Sequence, residues 1–150
     1  MKRIKKVNKY FIIICLLFIS TSFAQSSRYT KGAENGYSWG AMSNPLRVYD
    51  DSKYNYLGEI LERYRLLKQS FPEVEHLSCG EELNDLLKSG ESDNISLEYM
   101  VEVIDEFYSH TENLSIPIVF AYCYSIKELA GASKDELIDY KKEVLDFCNN

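Results

Sequence analysis

The chain has 150 residues, 45% hydrophobic and 27% charged, with 17 Lys and Arg against 23 Asp and Glu for a formal net charge of −6. Seven glycines, three prolines and four cysteines are too few for a collagen-like repeat, a low-complexity disordered chain or a disulfide-dense miniprotein. What remains is the composition of one ordinary globular domain.

The first nine residues carry Lys2, Arg3, Lys5, Lys6 and Lys9, and an apolar run of ten follows from Tyr10 to Ile19, closed by Ser20, Thr21 and Ser22. Basic, apolar and small segments in that order read as a secretory signal peptide over residues 1–24, with cleavage expected after Ser22-Phe23-Ala24. An uncleaved interfacial anchor is the alternative. A stable membrane span is not expected, because crossing the hydrocarbon core takes about 20 apolar residues. Cys15 sits inside the apolar run rather than after a small residue at its end, and so reads as part of the leader. Removing residues 1–24 takes away five basic and no acidic residues, leaving 12 against 23 and a formal charge of −11. A field of that sign repels DNA and RNA, so nucleic acid is not an expected partner.

Residues 25–44 are rich in Ser, Gly, Lys and Tyr without periodicity and predict an extended, partly mobile arm, ended by Trp39 packing on a helical domain over 45–150. Asn44-Pro45 places a cap before a proline at a first helical position and predicts a short turn over 45–49. Leu57, Ile60, Leu61, Tyr64, Leu67 and Phe71 recur at three and four, which predicts an amphipathic helix over 52–70, capped by Asp50 or Asp51 and stopped before Pro72. Ser78-Cys79-Gly80-Glu81 has capping-box spacing and opens a short helix with Leu83, Leu86 and Leu87 on one face, ended by Gly90.

Ser96 caps the clearest helix, in which Leu97, Met100, Val101, Ile104, Phe107 and Tyr108 form a stripe opposite Glu98, Glu102, Asp105 and Glu106. Pro117, at a first helical position, opens a helix that is apolar on nearly every side from Ile118 to Ala130 and ends at Gly131. At 1.5 Å per residue it is about 21 Å long, which predicts a buried central helix whose aromatic residues are core. Ser133-Lys134-Asp135-Glu136 is a second capping box, opening a last helix with Leu137, Ile138, Val144, Leu145 and Cys148 facing inward. Four substantial helices and one short one, with no alternating strand, predict an all-α antiparallel bundle.

After export three cysteines remain in a compartment that permits disulfides. Cys79 and Cys148 both lie near helix ends, so their pairing is the expected one, with a bridge using Cys123 or no bridge as alternatives. His76 and His110 have no second His or Cys at metal-binding spacing, and the acids between Asp85 and Glu98 miss the calcium-loop positions, so no metal site is assigned. His110 closes the third helix, where a cation favours the helix dipole. Cys79 follows His76 by three residues near a helix start, but no orienting Asn or Gly-rich oxyanion turn accompanies that pair. No Gly-rich phosphate loop is present and no two acids stand out for glycoside hydrolysis, so no catalytic residue and no cofactor is assigned. Asn94-Ile95-Ser96 and Asn113-Leu114-Ser115 match the N-glycosylation triplet, which matters only in a eukaryotic host.

Between Glu73 and Glu112 twelve acids face the single base Lys88, so these forty residues carry the whole charge of −11. Some of these acids favour helix N-termini and others read as a solvated face. The functional reading is a docking surface at Glu98, Glu102, Asp105 and Glu106 that steers a basic protein partner. Arg63, Arg65 and Lys68 on the first helix are placed to neutralise part of it within the fold.

Asn35-Gly36, Trp39, Met42-Ser43, Lys53-Tyr54-Asn55-Tyr56-Leu57-Gly58, Phe107-Tyr108, Asn113, Ile116-Pro117-Ile118, Ala121 and Gly131-Ala132-Ser133 together resemble a pattern in small exported bacterial helical proteins of unknown function. The segment from Ile95 to Leu129 is also similar to the second half of Rap/Tai-type immunity proteins of type VI secretion, periplasmic helical bundles that neutralise cell-wall amidase toxins. The resemblance implies a periplasmic or secreted location and a binding role, with no catalytic residues to carry over. The leading expectation is an exported, non-enzymatic helical protein that binds another protein, of the immunity or inhibitor type. The alternative is a bundle that holds a small apolar ligand with Phe120, Tyr122 and Tyr124.

Overall fold

The computed structural model describes residues 28–43, 52–89 and 96–150. It begins with a two-stranded antiparallel hairpin, β1 (Tyr29–Thr30) and β2 (Ala33–Glu34), turned by Lys31 and Gly32 at φ of 51° and 76°. Two successive left-handed residues give the turn whose twist matches a tight hairpin, and glycine takes the second place without strain. The chain continues into α1 (Gly36–Met42), capped by the Asn35 side chain, which accepts from the Tyr37 N–H at 3.1 Å.

Residues 28–43 are therefore not the extended arm expected from their composition. Their polar groups are spent on the fold: Thr30 Oγ1 donates to the Ser115 carbonyl at 2.6 Å, and the Gly36 N–H donates to the Leu114 carbonyl at 3.0 Å. Gly36 is indispensable to this approach, since a Cβ there would lie 2.5 Å from Cδ1 of Tyr108. Trp39, 1% exposed, meets the edge of Tyr56 at 6.3 Å between ring centres, so its predicted packing is observed.

The helix expected over 52–70 is interrupted. α2 (Ser52–Gly58) and α3 (Ile60–Ser70) are separated by Glu59, whose N–H bonds back only three residues to Tyr56. Gly58 has poor helix propensity and sits at the break. Leu57, Ile60 and Leu67 are buried as expected, whereas Leu61 turns out to solvent. Pro72 stops the helix and opens a 3-10 segment, Pro72–Leu77, that the periodicity did not announce; its Val74 and Leu77 are fully buried. α4 (Gly80–Lys88) follows, with Cys79 at the cap position and no side-chain capping bond, so the expected Ser78–Glu81 box does not form. Only Leu86 of its three leucines is buried, and Leu87 is exposed. The expected turn over 45–49, its caps at Asp50 and Asp51, and Gly90 lie outside the described residues.

α5 (Leu97–Ser109) is capped by Ser96, whose side chain accepts from the Tyr99 N–H, and buries Met100, Ile104, Phe107 and Tyr108. A short 3-10 turn, Thr111–Asn113, leads to α6 (Ile118–Leu129), where Pro117 stands at the cap position rather than one residue inside. α6 buries seven residues and packs against α3, α4, α5 and α7 (Lys134–Asn149), which makes it the central element. Gly131 ends it at φ 86°, with the Gly131 and Ala132 N–H groups returning to the carbonyls of Glu128 and Lys127 in a Schellman arrangement. The Ser133–Glu136 capping box of α7 forms in both directions. Leu137, Tyr140 and Val144 face inward, but Ile138 is 60% exposed, and the Tyr140 hydroxyl instead reaches across to the Leu77 carbonyl at 3.0 Å.

The result is an all-α fold with one small hairpin. No helix among the described residues is long and apolar enough to cross a membrane.

Candidate functional site

Glu98, Glu102, Asp105 and Glu106 all lie on the solvent side of α5, away from its buried stripe. Glu98, Glu102 and Glu106 follow one another at intervals of four and form a ridge along the helix. Asp105 is different. It accepts a hydrogen bond from Trp39 Nε1 at 2.6 Å and pairs with Lys53, whose ammonium also lies 4.9 Å from the centre of the Trp39 ring. That carboxylate is committed to holding α1 and α2 against α5, and sequence periodicity had no means of separating it from its neighbours.

Three other acids of the segment have Lys partners. Glu75 pairs with Lys68, Glu82 with Lys127, and Asp85 with Lys88 at 3.8 Å. Of the basic residues expected to neutralise the acidic segment, only Lys68 does so: Arg63 is forked between Glu34 and Glu59 while stacking 4.0 Å from the Tyr56 ring, and Arg65 pairs with Glu62. Glu98 and Glu102 take part in no ion pair among the described residues. Glu91 and Asp93 lie outside the described residues.

The ridge runs into a cleft of about 210 Å³ at the C-terminal end of α5, lined by Glu106, Phe107, Glu112, Asn113, Tyr124 and Glu128 among others. Glu106 and Glu112 bracket the exposed His110 at 4.0 and 3.9 Å. Phe107 and Tyr124 stand 5.0 Å apart with their rings tilted by 52°. Burial, and then the charge of Glu128, raise the Tyr124 hydroxyl above its ordinary value. Asn113 is 3% exposed; its Nδ2 donates to the Phe107 carbonyl at 2.7 Å, while its Oδ1 has no hydrogen-bond partner among the described residues. The glycosylation triplet at Asn113 is thus buried in the folded protein, whereas that at Asn94 lies outside the described residues. The sequence assigns neither Asn113 nor Glu128 to a site: Asn113 comes back on the 3-10 turn after α5, and Glu128 reaches Glu106 only through the packing of α6 on α5.

Among the described residues a disulfide joins Cys79 to Cys123, with their Cα atoms 5.1 Å apart, and leaves Cys148 as the free thiol. The expected Cys79–Cys148 pairing is corrected for a packing reason: the start of α4 rests on the middle of α6, where Cys123 points toward it. Cys148 stays in the last turn of α7, where burial pushes its pKa up to about 11 despite the opposing charge of Lys31. The bridge also removes Cys79 as a thiolate beside His76, whose Nδ1 contacts the Glu73 carbonyl at 2.6 Å. No group of three or more potential metal ligands converges among the described residues.

Of the aromatic residues offered for an apolar ligand, Phe120 is fully buried between the edges of Tyr64 and Phe147. The apolar hollow next to it, between Ile60, Tyr64, Leu83 and Tyr122, amounts to about 90 Å³. Small-molecule sites run roughly from 300 to 1,000 Å³, so it is well short of that size.

The chain matches no protein-family model, and no curated protein or solved structure shows significant similarity to it.

Proposed function

We propose that this is an exported, non-enzymatic protein that acts by binding a basic protein through the exposed acidic face of α5, as an immunity-type inhibitor does. The observation that carries the reading is the contrast along one segment. Glu75, Glu82, Asp85 and Asp105 pair with lysines of the same chain, while among the described residues Glu98 and Glu102 on the α5 ridge, like Glu73 and Glu81 before it, are in no ion pair. An acidic ridge of this kind accelerates encounter with a basic partner and sets its orientation. The Cys79–Cys123 bridge supports an oxidising compartment and therefore export. The scaffold is read as an antiparallel bundle whose four main members are the broken α2–α3 segment, α5, α6 and α7, with α4 as the short addition.

Affinity capture from periplasm and from neighbouring-cell extract tests the proposal, using protein expressed from the complete chain and a Glu98→Lys/Glu102→Lys variant. Asp105 is left untouched because it holds Trp39. A basic protein retained by the native bait, lost by the variant and released as salt is raised supports the reading. Identical captures by both baits refute it.

A further inference from the structure

We infer that the Cys79–Cys123 bridge is a redox latch for α4: reduced by a dithiol, it releases that helix from α6 while the rest of the fold stays closed. α4 has 9 residues, and helices shorter than about 12 residues are marginal in water without packing. Its packing is thin. Leu86 is its only buried side chain, Cys79 stands at the cap position without a side-chain capping bond, and the main neighbour is α6. One ion pair, Glu82 with Lys127, adds a partly exposed and correspondingly weak hold. The bridge is the covalent tie that remains.

The segment before α4 is anchored by other means. Val74 and Leu77 are fully buried, the Tyr64 hydroxyl donates to the Val74 carbonyl at 2.8 Å, and the Tyr140 hydroxyl donates to the Leu77 carbonyl at 3.0 Å. Neither contact passes through the bridge, so the pivot for release falls at Ser78, which is extended at φ −72° and ψ 159°. α6 likewise keeps its packing on α3, α5 and α7. Both cysteines line the apolar hollow between α3, α4 and α6, and release of α4 widens that hollow along Val119 and Tyr122.

Each cysteine is 4% exposed, so a reductant reaches the bridge when α4 lifts. The reductant is a protein dithiol of the Cys-X-X-Cys class. One of its thiolates attacks Cys79 Sγ, on the movable element; the Cys79–Cys123 bond breaks, and Cys123 leaves as a thiolate that takes up a proton. The second thiolate of the reductant then attacks the reductant's own sulfur in the mixed disulfide, closing the reductant's disulfide and freeing Cys79, which takes up the second proton. Two electrons pass to the cysteine pair and the dithiol is oxidised.

Hydrogen exchange read by mass spectrometry tests the latch, on protein expressed from the complete chain and carrying Cys148→Ser so that the third thiol takes no part. Exchange is compared before and after reduction with dithiothreitol. The amides of residues 83–89 are expected to be protected in the bridged protein and, after reduction, to exchange within about tenfold of an unstructured peptide, while those of α5, α6 and α7 stay protected. Reoxidation restores the protection, and Cys79→Ser/Cys123→Ser shows the released pattern without reductant. An α4 that stays protected after reduction overturns the latch. So does protection lost from α4 and α6 together, which makes the bridge a staple of the whole fold, and so does an α4 already unprotected with the bridge intact.

Discussion

Replacing Asp105 by alanine tests whether one acid of the α5 face belongs to the fold rather than to the surface. Its carboxylate takes the Trp39 indole hydrogen bond at 2.6 Å and pairs with Lys53, which is 13% exposed. A hydrogen bond to a charged acceptor contributes about 1.5–3 kcal/mol, and a partly exposed ion pair about 0.5–1 kcal/mol. The expected loss is therefore about 2–4 kcal/mol, a large share of the roughly 5–15 kcal/mol that holds a domain together. At a urea m-value of about 2 kcal/mol per molar, the midpoint falls by about 1–2 M. Trp39 is the only tryptophan, so its fluorescence reports this contact and global unfolding at once, with far-UV circular dichroism as the second probe. Glu102→Ala, on the same helix face, is expected to stay within about 0.5 kcal/mol of the parent. A double-mutant cycle with Lys53→Met isolates the pair energy. If Asp105→Ala and Glu102→Ala unfold at the same midpoint, Asp105 is an ordinary surface acid and the anchoring argument fails.

Removing the Cys79–Cys123 bridge as a Ser/Ser double variant is expected to cost about 4 kcal/mol from loop entropy at a separation of 44 residues, while Cys148→Ser costs little; chemical denaturation of both proteins checks this. Gly36→Ala drives a methyl group to 2.5 Å from Tyr108 and 2.9 Å from the Leu114 Cα, for a loss of about 1–3 kcal/mol, whereas Gly40→Ala meets nothing within 4 Å and is expected to be neutral or stabilising in thermal melts. Burial holds the Tyr108 and Tyr140 hydroxyls well above their usual value. Above about pH 10 the unfolded chain releases tyrosine protons that the folded chain retains, so stability falls as pH rises through that range. Absorbance at 295 nm, recorded with the melting temperature, is expected to show a tyrosine fraction that ionises only on unfolding; free titration of every tyrosine in the folded protein contradicts the burial argument.

Local signals carried much of the architecture. Ser96 and the Ser133–Glu136 box mark the starts of α5 and α7 correctly because a cap needs only neighbours a few residues away. The apolar stripe of α5 and the all-round apolar α6 were equally legible, since burial follows helical spacing. The failures share a cause of the opposite kind. The polar stretch from Arg28 to Ser43 reads as an arm until Gly36 and Thr30 find Leu114 and Ser115, some 80 residues away. Ser78 loses its capping role where Cys79 is tied to Cys123, and one glycine-bearing break divides the helix expected over 52–70.

The candidate site divides along the same line. The sequence by itself determined that acids concentrate between Glu73 and Glu112, and that Glu98, Glu102, Asp105 and Glu106 share the exposed side of one helix, because charge and 3.6-residue periodicity are properties of the local chain. Only the tertiary structure decided which of those charges are spent inside the fold. Lys53 and Trp39 reach Asp105 from more than fifty residues away, and Tyr124 and Glu128 meet Glu106 only where α6 packs on α5. Pairings of that range follow from how helices pack, which no local pattern encodes.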